Sequence, residues 1–350
     1  MRLGIRLLII VAFTLFLSSP RIISKGSADS GANHQGRNLH FGVSGGNVND
    51  ITRRFCCSGT LGALVTDGTT SYVLSNNHVL GLSGQAKAGE DISQPGLIDN
   101  FCQLPPIVAD FTVAPPLGSS NVDAAIAQLR SGAMDETGFI EDIGVPSGTP
   151  AAPTLGMSVA KSGRTTGFTT GTIASINTSV NVQYQRSCGQ GKKFVVSYTN
   201  QVVINSATFS AGGDSGSLIV TNTSNHQPVA LLFAGSSTTT IANPIGQVLT
   251  QLSNALGRTV SFLGAPRVAS MSTLANLQDI EKATQVKNRH EERLMLQEDV
   301  FGMGVGQDKD GRAFIVIYAD KSAGGVSDLP RNLDDVEVRV VHTERFKANW

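Results

Sequence analysis

From about Arg53 to Leu263 the chain repeats one texture, in which short apolar runs of four to eight residues are separated by Gly, Asn, Asp, Ser and Thr. The runs lie in GTLGALVTDGTTSYVLSNNHVL, DAAIAQL, SVAKSGRTTGFTTGTIASINTSVNVQY, KKFVVSYTNQVVI and GSLIVTNTSNHQPVALLFAGSS, and they are rich in Val, Ile, Thr and Tyr. Residues of this kind suit a pleated, half-buried surface, and turn residues between them predict many short strands. Asp67-Gly68 between two runs predicts a hairpin. Many short strands with Gly-rich turns make the chain mainly β, as a sandwich or a barrel.

Two changes of texture divide the chain. Between Ser131 and Pro153 the strand pattern gives way to Gly and Pro, which predicts a bridge between two β halves, at about 53–135 and 154–264. After Pro266 comes a charged stretch in which Leu274, Leu277 and Ile280 recur at intervals of three, without Gly or Pro as far as Glu298. A helix is expected over 265–299, with its continuity open at Lys287-Asn288. Residues 300–350 then predict a hairpin turning at Asp310-Gly311 and a third strand from Val336 to His342, a small α+β module. Gly302-Met303-Gly304-Val305-Gly306 lacks the third glycine of a dinucleotide fingerprint and opens a strand instead of a helix. Asp308-Lys309-Asp310-Gly311 lacks the later ligands of a calcium loop. Both read as parts of a solvated hairpin.

At the N-terminus Arg2 and Arg6 precede an apolar run from Leu7 to Leu17, so residues 1–20 read as a secretory signal peptide. An uncleaved anchor tethering the chain to a membrane through residues 7–17 is the alternative. Either way the protein is expected outside the cytoplasm, secreted or in the periplasm or cell envelope. Residues 21–52, with Ser27–Asp50 rich in Gly, Ser and Asn, read as a leader. Lys plus Arg equal Asp plus Glu at 27 each, which argues against a nucleic-acid partner. The cysteines are Cys56, Cys57, Cys102 and Cys188; in an exported chain four allow two disulfides in three connectivities. Adjacent Cys56 and Cys57 would pair with each other only under strain. No C-x-x-C pair and no histidine at zinc-ligand spacing is present, so neither a metal nor another cofactor is expected.

Candidate chemistry centres on SAGGDSGSLIV, residues 210–220. A serine hydroxyl such as that of Ser215 is a weak nucleophile unless a base, an orienting acid and oxyanion donors surround it. Of the six histidines, His34, His40, His290 and His342 lie outside the β region, and His226 sits in a polar turn. His78, in SYVLSNNHVLG, directly follows a strand, where a rigid element would hold it. Asp123, in NVDAAIAQL, has apolar neighbours that make an unpaired carboxylate costly. Asp110, in VADFTVAP, competes with it.

The order His78, Asp123, Ser215, each in β-rich context, resembles the trypsin-like (chymotrypsin-fold) serine proteases of bacterial type over about residues 53–264. LSNNHVL is similar to their histidine motif, VDAAIA to their aspartate motif and GGDSGS to their serine motif, and α/β-hydrolases and subtilisins run in other orders. KSGRTTGFTTGTI is similar to the strand pair that opens the second barrel in bacterial relatives. The resemblance implies two six-stranded Greek-key β-barrels with the site between them. It implies that Ser215 attacks a peptide carbonyl, that His78 shuttles the proton, and that Asp123 orients His78. The amides of Gly213 and Ser215 would form the oxyanion hole. Phe209 would stand at the pocket floor, and Phe233, Ala234, Gly235 and Ser236 along the wall that binds substrate backbone.

The chain also departs from that pattern. No Ile-Val-Gly-Gly segment precedes the barrels to pair with Asp214, so Asp214 needs another partner, and no cysteine follows His78 to bracket its loop. An apolar Phe209 gives no support to a preference for Lys or Arg. The resulting expectation is an exported serine endopeptidase acting on proteins or peptides. A protease-fold binding protein whose chemistry has lapsed, and an esterase with the same triad, are the alternatives. The C-terminal module is expected to bind a partner or to regulate the cleft.

Overall fold

The computed structural model describes residues 34–36, 38–263, 277–320 and 329–348. The signal peptide or anchor expected at residues 1–20 lies outside them. Among the described residues no helix is long and apolar enough to cross a membrane.

The first β unit comprises β1 (Val43–Asn47), β2 (Gly59–Leu61), β3 (Ala63–Thr66), β4 (Ser71–Ser75), β5 (Asp91–Ser93), β6 (Ile107–Val113) and β7 (Ala125–Leu129). Only Gly62 separates β2 from β3, so the two act as one bent strand. It pairs with β1 at one end and β4 at the other, which closes the ring β1–β2/β3–β4–β7–β6–β5–β1. The second unit comprises β8 (Ser158–Gly163), β9 (Gly167–Ser187), β10 (Gln190–Asn205), β11 (Leu218–Thr221), β12 (Pro228–Gly235) and β13 (Thr239–Pro244). It closes in the same order, β8–β9–β10–β13–β12–β11–β8. Two six-stranded barrels of one Greek-key topology make this the chymotrypsin-type fold that the motifs imply. Closure gives every strand of both rings two neighbours, while the long β9 runs on beyond its pairing with β8 and β12 beyond its pairing with β11.

The first barrel starts earlier than the expected boundary at Arg53. β1 reads VSGGN, and its five residues are all buried. A Cβ on Gly45 would lie 2.4 Å from Leu61 Cγ, so the glycine lets β1 close on β2. That close approach explains why a strand hides in a stretch with the composition of a leader. The hairpin at Asp67-Gly68 is present between β3 and β4, with Asp67 Oδ1 accepting from the Thr69 and Thr70 amides.

A helix that the apolar pattern does not predict spans Ile245–Leu256. It buries Ile245, Val248 and Leu252 in the core of the first barrel and ends at Gly257, which takes φ +74°. After it β14 (Ser261–Phe262) pairs with β3.

The tail contains the expected helix, running unbroken through Lys287-Asn288 over Leu277–Met295. The hairpin β15 (Val300–Gln307) and β16 (Ala313–Asp320) turns at Asp310-Gly311, and β18 (Val336–Thr343) lies parallel to β16, with β17 (Asn332–Leu333) at its edge. This α+β module shares a sheet with the second barrel, because β15 pairs antiparallel with the long β9. The alternating glycines of β15 serve that contact: a Cβ on Gly304 would lie 2.3 Å from Thr178 Oγ1.

Candidate active site

His78 sits on a one-turn helix, Asn77–Leu80, directly after β4. Its side chain is almost wholly buried, and Nδ1 donates to Asp123 Oδ2 at 2.6 Å. The His78 amide donates to Asp123 Oδ1 at 3.1 Å, so one carboxylate grips both ring and backbone. Asp123 lies two residues before β7 and is fully buried. Its amide donates to Asn243 Oδ1 on β13 at 3.0 Å, and its carbonyl accepts from Asn76 Nδ2 at 2.7 Å, which ties it to both barrels. A buried carboxylate needs such hydrogen-bond partners.

The competing acid is resolved by the fold. Asp110 lies on β6 and pairs with Arg130 Nη2 at 2.6 Å and Nε at 3.1 Å, near the surface. It forms part of a surface ion-pair group with Asp91.

A further donor comes from a residue no motif pointed to. The Tyr184 hydroxyl, on β9, donates to Asp123 Oδ2 at 2.8 Å and lies 2.6 Å from the Tyr198 hydroxyl on β10. Burial and the neighbouring Asp123 charge push the Tyr184 hydroxyl well above its ordinary pKa, and Tyr198 moves in the same direction for the same causes. Both phenols therefore stay protonated and available as donors. Tyr184 stands 61 positions from Asp123, so only the paired β9–β10 ribbon brings it in.

Ser215 occupies the turn before β11. Thr60, on β2 of the other barrel, fixes that turn: its amide donates to Ser215 O at 2.8 Å and its hydroxyl to Gly213 O at 3.0 Å. The barrels meet here without clearance, since a Cβ on Gly62 would fall 1.9 Å from Gly216 O. Gly213 takes φ +97°, and a Cβ on it would lie 2.5 Å from Thr165 Oγ1. Among the described residues, neither the Gly213 nor the Ser215 amide is used by a protein acceptor. His78 Nε2 and Ser215 Oγ are buried and have no hydrogen-bond partner among the described residues. Both residues line one 190 Å³ cavity, together with Gly213, Arg164 and Asp50.

Asp214 has the partner that the sequence left open. Its carboxylate accepts from the amides of Thr165 at 2.8 Å, Thr166 at 3.2 Å and Ala211 at 2.9 Å, and from the Thr166 hydroxyl at 2.7 Å. Lys161 Nζ stands 3.6 Å away, fully buried. Burial brings Lys161 down to about 8 against the opposing pull of Asp214. KSGRTTG thus supplies the charge and the donors that hold the serine turn.

Three loops crowd the histidine. Cys57 pairs with Cys188 and Cys56 with Cys102, two disulfides whose connectivity the sequence had left open. The first of these bridges ties the tip of the β9–β10 ribbon to the loop before β2. Asp50 lies beside that bridge in the cavity wall, and burial lifts its carboxyl to about 6, opposed by His78 and by a backbone hydrogen bond from Cys188.

The expected substrate wall is placed differently. Phe209 does not face the cavity: its fully buried ring joins Val159, Ile173, Ile204 and Ile219 in the second-barrel core. Counting back from the serine assigned it to a pocket floor, but the ring turns inward to fill the barrel. Ser210, which follows it, hydrogen-bonds Thr240 at 2.5 Å. Phe233 and Ala234 are fully buried, with Phe233 packed on Tyr198 at 4.9 Å between ring centroids. Gly235 pairs antiparallel with Lys347, and Ser236 Oγ lies 2.7 Å from Thr343 Oγ1. The predicted wall is therefore engaged by the chain's own tail.

Residues 73–237 match the model of peptidase family S64. No curated protein matches the chain. Among solved structures, a glutamic acid-specific serine protease using a histidine triad in substrate binding is 19% identical at a TM-score of 0.45, over 64% of this chain and 100% of that one. Thermobifida fusca protease A is 18% identical, TM-score 0.44, over 65% and 99%. A Cellulomonas bogoriensis chymotrypsin is 15% identical, TM-score 0.42, over 65% and 99%. The chain is thus similar to a peptidase family over the segment that carries His78, Asp123 and the β9–β10 ribbon.

Proposed function

We propose that this protein is an exported serine endopeptidase that cleaves peptide bonds through an acyl-enzyme on Ser215. The observation that carries the reading is the bond from His78 Nδ1 to Asp123, with the free His78 Nε2 and Ser215 Oγ on one cavity. With an Nδ1 proton donated to Asp123, the imidazole offers a lone pair at Nε2, which has no partner among the described residues. Nε2 takes the hydroxyl proton as Ser215 Oγ attacks the substrate carbonyl, and Asp123 stabilises the resulting imidazolium. The carbonyl oxygen becomes an oxyanion, for which the amides of Gly213 and Ser215 are the available donors. His78 returns the proton to the leaving amine, and water repeats the sequence on the ester.

Two disulfides support export, since they persist in oxidising compartments. A buried Lys161 beside Asp214 supports a serine turn that is set without a newly generated N-terminus. The test is hydrolysis of a denatured protein such as casein and of a simple nitrophenyl ester by the wild type and by Ser215→Ala and His78→Ala. Peptide cleavage lost in both variants supports the reading. Ester cleavage without peptide cleavage would make the chain an esterase, and neither activity in a folded protein would make it a binding protein.

A further inference from the structure

The last described residues of the tail lie along the strand edge that leads to Ser215. Lys347 and Gly235 exchange both backbone hydrogen bonds, each at 3.0 Å, as an antiparallel pair. On the opposite side the Gln183 amide on β9 donates to Phe346 O at 2.9 Å, and Gln183 O accepts from the Ala348 amide at 3.1 Å. Phe346–Ala348 is thus a short strand inserted between β9 and the end of β12. The Phe346 ring is fully buried against Tyr318 at 5.7 Å and Phe301 at 6.5 Å, while the Lys347 side chain stays exposed.

The direction of this strand gives it meaning. β12 runs from Pro228 to Gly235, so a strand antiparallel to it at Gly235 heads back toward Leu232. The Leu232 carbonyl accepts from the Gly216 amide at 2.9 Å, and its amide donates to Ser217 O at 3.1 Å. Leu232 is thus bonded to the turn that carries Ser215. A peptide laid on Gly235 in this direction runs along β12 toward the residue bonded to Gly216 and Ser217, beside Ser215. Extended peptides commonly bind by adding a strand to an open edge, with main-chain bonds for affinity. The backbone groups of Gly235 and Gln183 that such a peptide would use are already taken by Lys347, Phe346 and Ala348.

We propose that the C-terminal segment Phe346–Ala348 is a built-in competitor that holds the acyl-side strand position of the cleft, so that a substrate peptide must displace it. This regulation rests on the reading of Ser215 as a nucleophile. The tail is tethered through its own module, and a tethered competitor acts at an effective concentration on the order of millimolar. A free peptide at micromolar concentration is therefore excluded until the tail lifts. Phe346 is the anchor, and the Lys347 amide is the bond that closes the position.

The test uses full-length chains. Lys347→Pro deletes the amide that donates to Gly235 O and leaves Phe346 in its socket; Phe346→Ala weakens the anchor and keeps the amide. In a Ser215→Ala background, a fluorescein-labelled peptide of residues 343–350 is titrated by anisotropy. At least about tenfold tighter binding to either tail variant than to the parent is expected, because the tethered competitor is gone. Equal binding to all three folded chains overturns the proposal. With Ser215 intact, kcat/KM on an extended peptide amide should rise by a similar factor in the tail variants. The rate of labelling by a small fluorophosphonate, which needs no strand position, should stay within about threefold, since it reports only the Ser215 hydroxyl and its proton acceptor. Normal labelling with unchanged peptide turnover overturns the competitor and leaves the hydrolase standing. Absent labelling sinks the hydrolase, while the anisotropy result still decides whether the tail occupies the strand position.

Discussion

Tyr184→Phe isolates one hydrogen bond of the candidate site. The substitution removes the hydroxyl that donates to Asp123 Oδ2 at 2.8 Å and leaves a ring of the same shape, stacked on Phe194 at 5.4 Å. Asp123 keeps its two donors from His78, so its position is retained. What it loses is a charge-assisted bond in a fully buried place, worth about 1.5–3 kcal/mol. In the proposed mechanism Asp123 is most strongly called on when the imidazolium forms, so the loss should fall on the chemical step. At 1.36 kcal/mol per tenfold, kcat should drop roughly 10–100-fold. Tyr184 is fully buried behind the acid and does not line the cavity, so KM should stay within about threefold, the pattern of an interaction made in the transition state. Tyr198→Phe, one hydrogen bond further back, should cost less. The assay is steady-state hydrolysis of a peptide amide, with thermal melting alongside to exclude global loosening. A Tyr184→Phe enzyme within twofold of wild-type kcat, with its melting temperature intact, would refute the argument that this phenol supports Asp123.

Gly213→Ala should reduce kcat/KM by about a hundredfold or more by turning the proposed oxyanion donors away, since its Cβ would meet Thr165 Oγ1 at 2.5 Å; steady-state kinetics would check it. Replacing Cys57 and Cys188 together by Ser opens a bridge across 131 residues and should cost roughly 3–5 kcal/mol, read as a lower denaturant midpoint. Asp50→Asn tests the buried carboxyl near His78. Its folded pKa of about 6 exceeds the unfolded value, so Asp50 opposes folding progressively as pH rises from 4 to 6 and fully above that. The variant should match wild type near pH 3.5 and exceed it by roughly 1–3 kcal/mol at pH 7; a pH-independent difference in melting would count against the assignment.

How much of this site can be read in advance follows from how local each signal is. His78 and Ser215 announce themselves because the strand end or turn that places them lies within a few residues. Local composition alone left Asp110 beside Asp123, and only the motif resemblance chose between them, while in the structure Arg130 pairs with Asp110 at the surface, 20 residues away. Tyr184 and Thr60 act across 61 and 153 positions, and no period or motif carries such distances. The strand Val43–Asn47 was disguised by the glycines that let it pack. Phe209 shows the limit of counting along a motif, since the direction of its ring depends on the packing of the barrel core. The docking of Lys347 on Gly235 joins ends of the fold that share no sequence signal at all.

The central claim is that Ser215 is an activated nucleophile. Treating the purified protein with a fluorophosphonate probe and reading its intact mass, beside Ser215→Ala, tests it most directly. The account predicts one covalent adduct on the wild type and none on the alanine variant. An unlabelled wild type that is folded and carries both disulfides, or equal labelling of the two proteins, would contradict it.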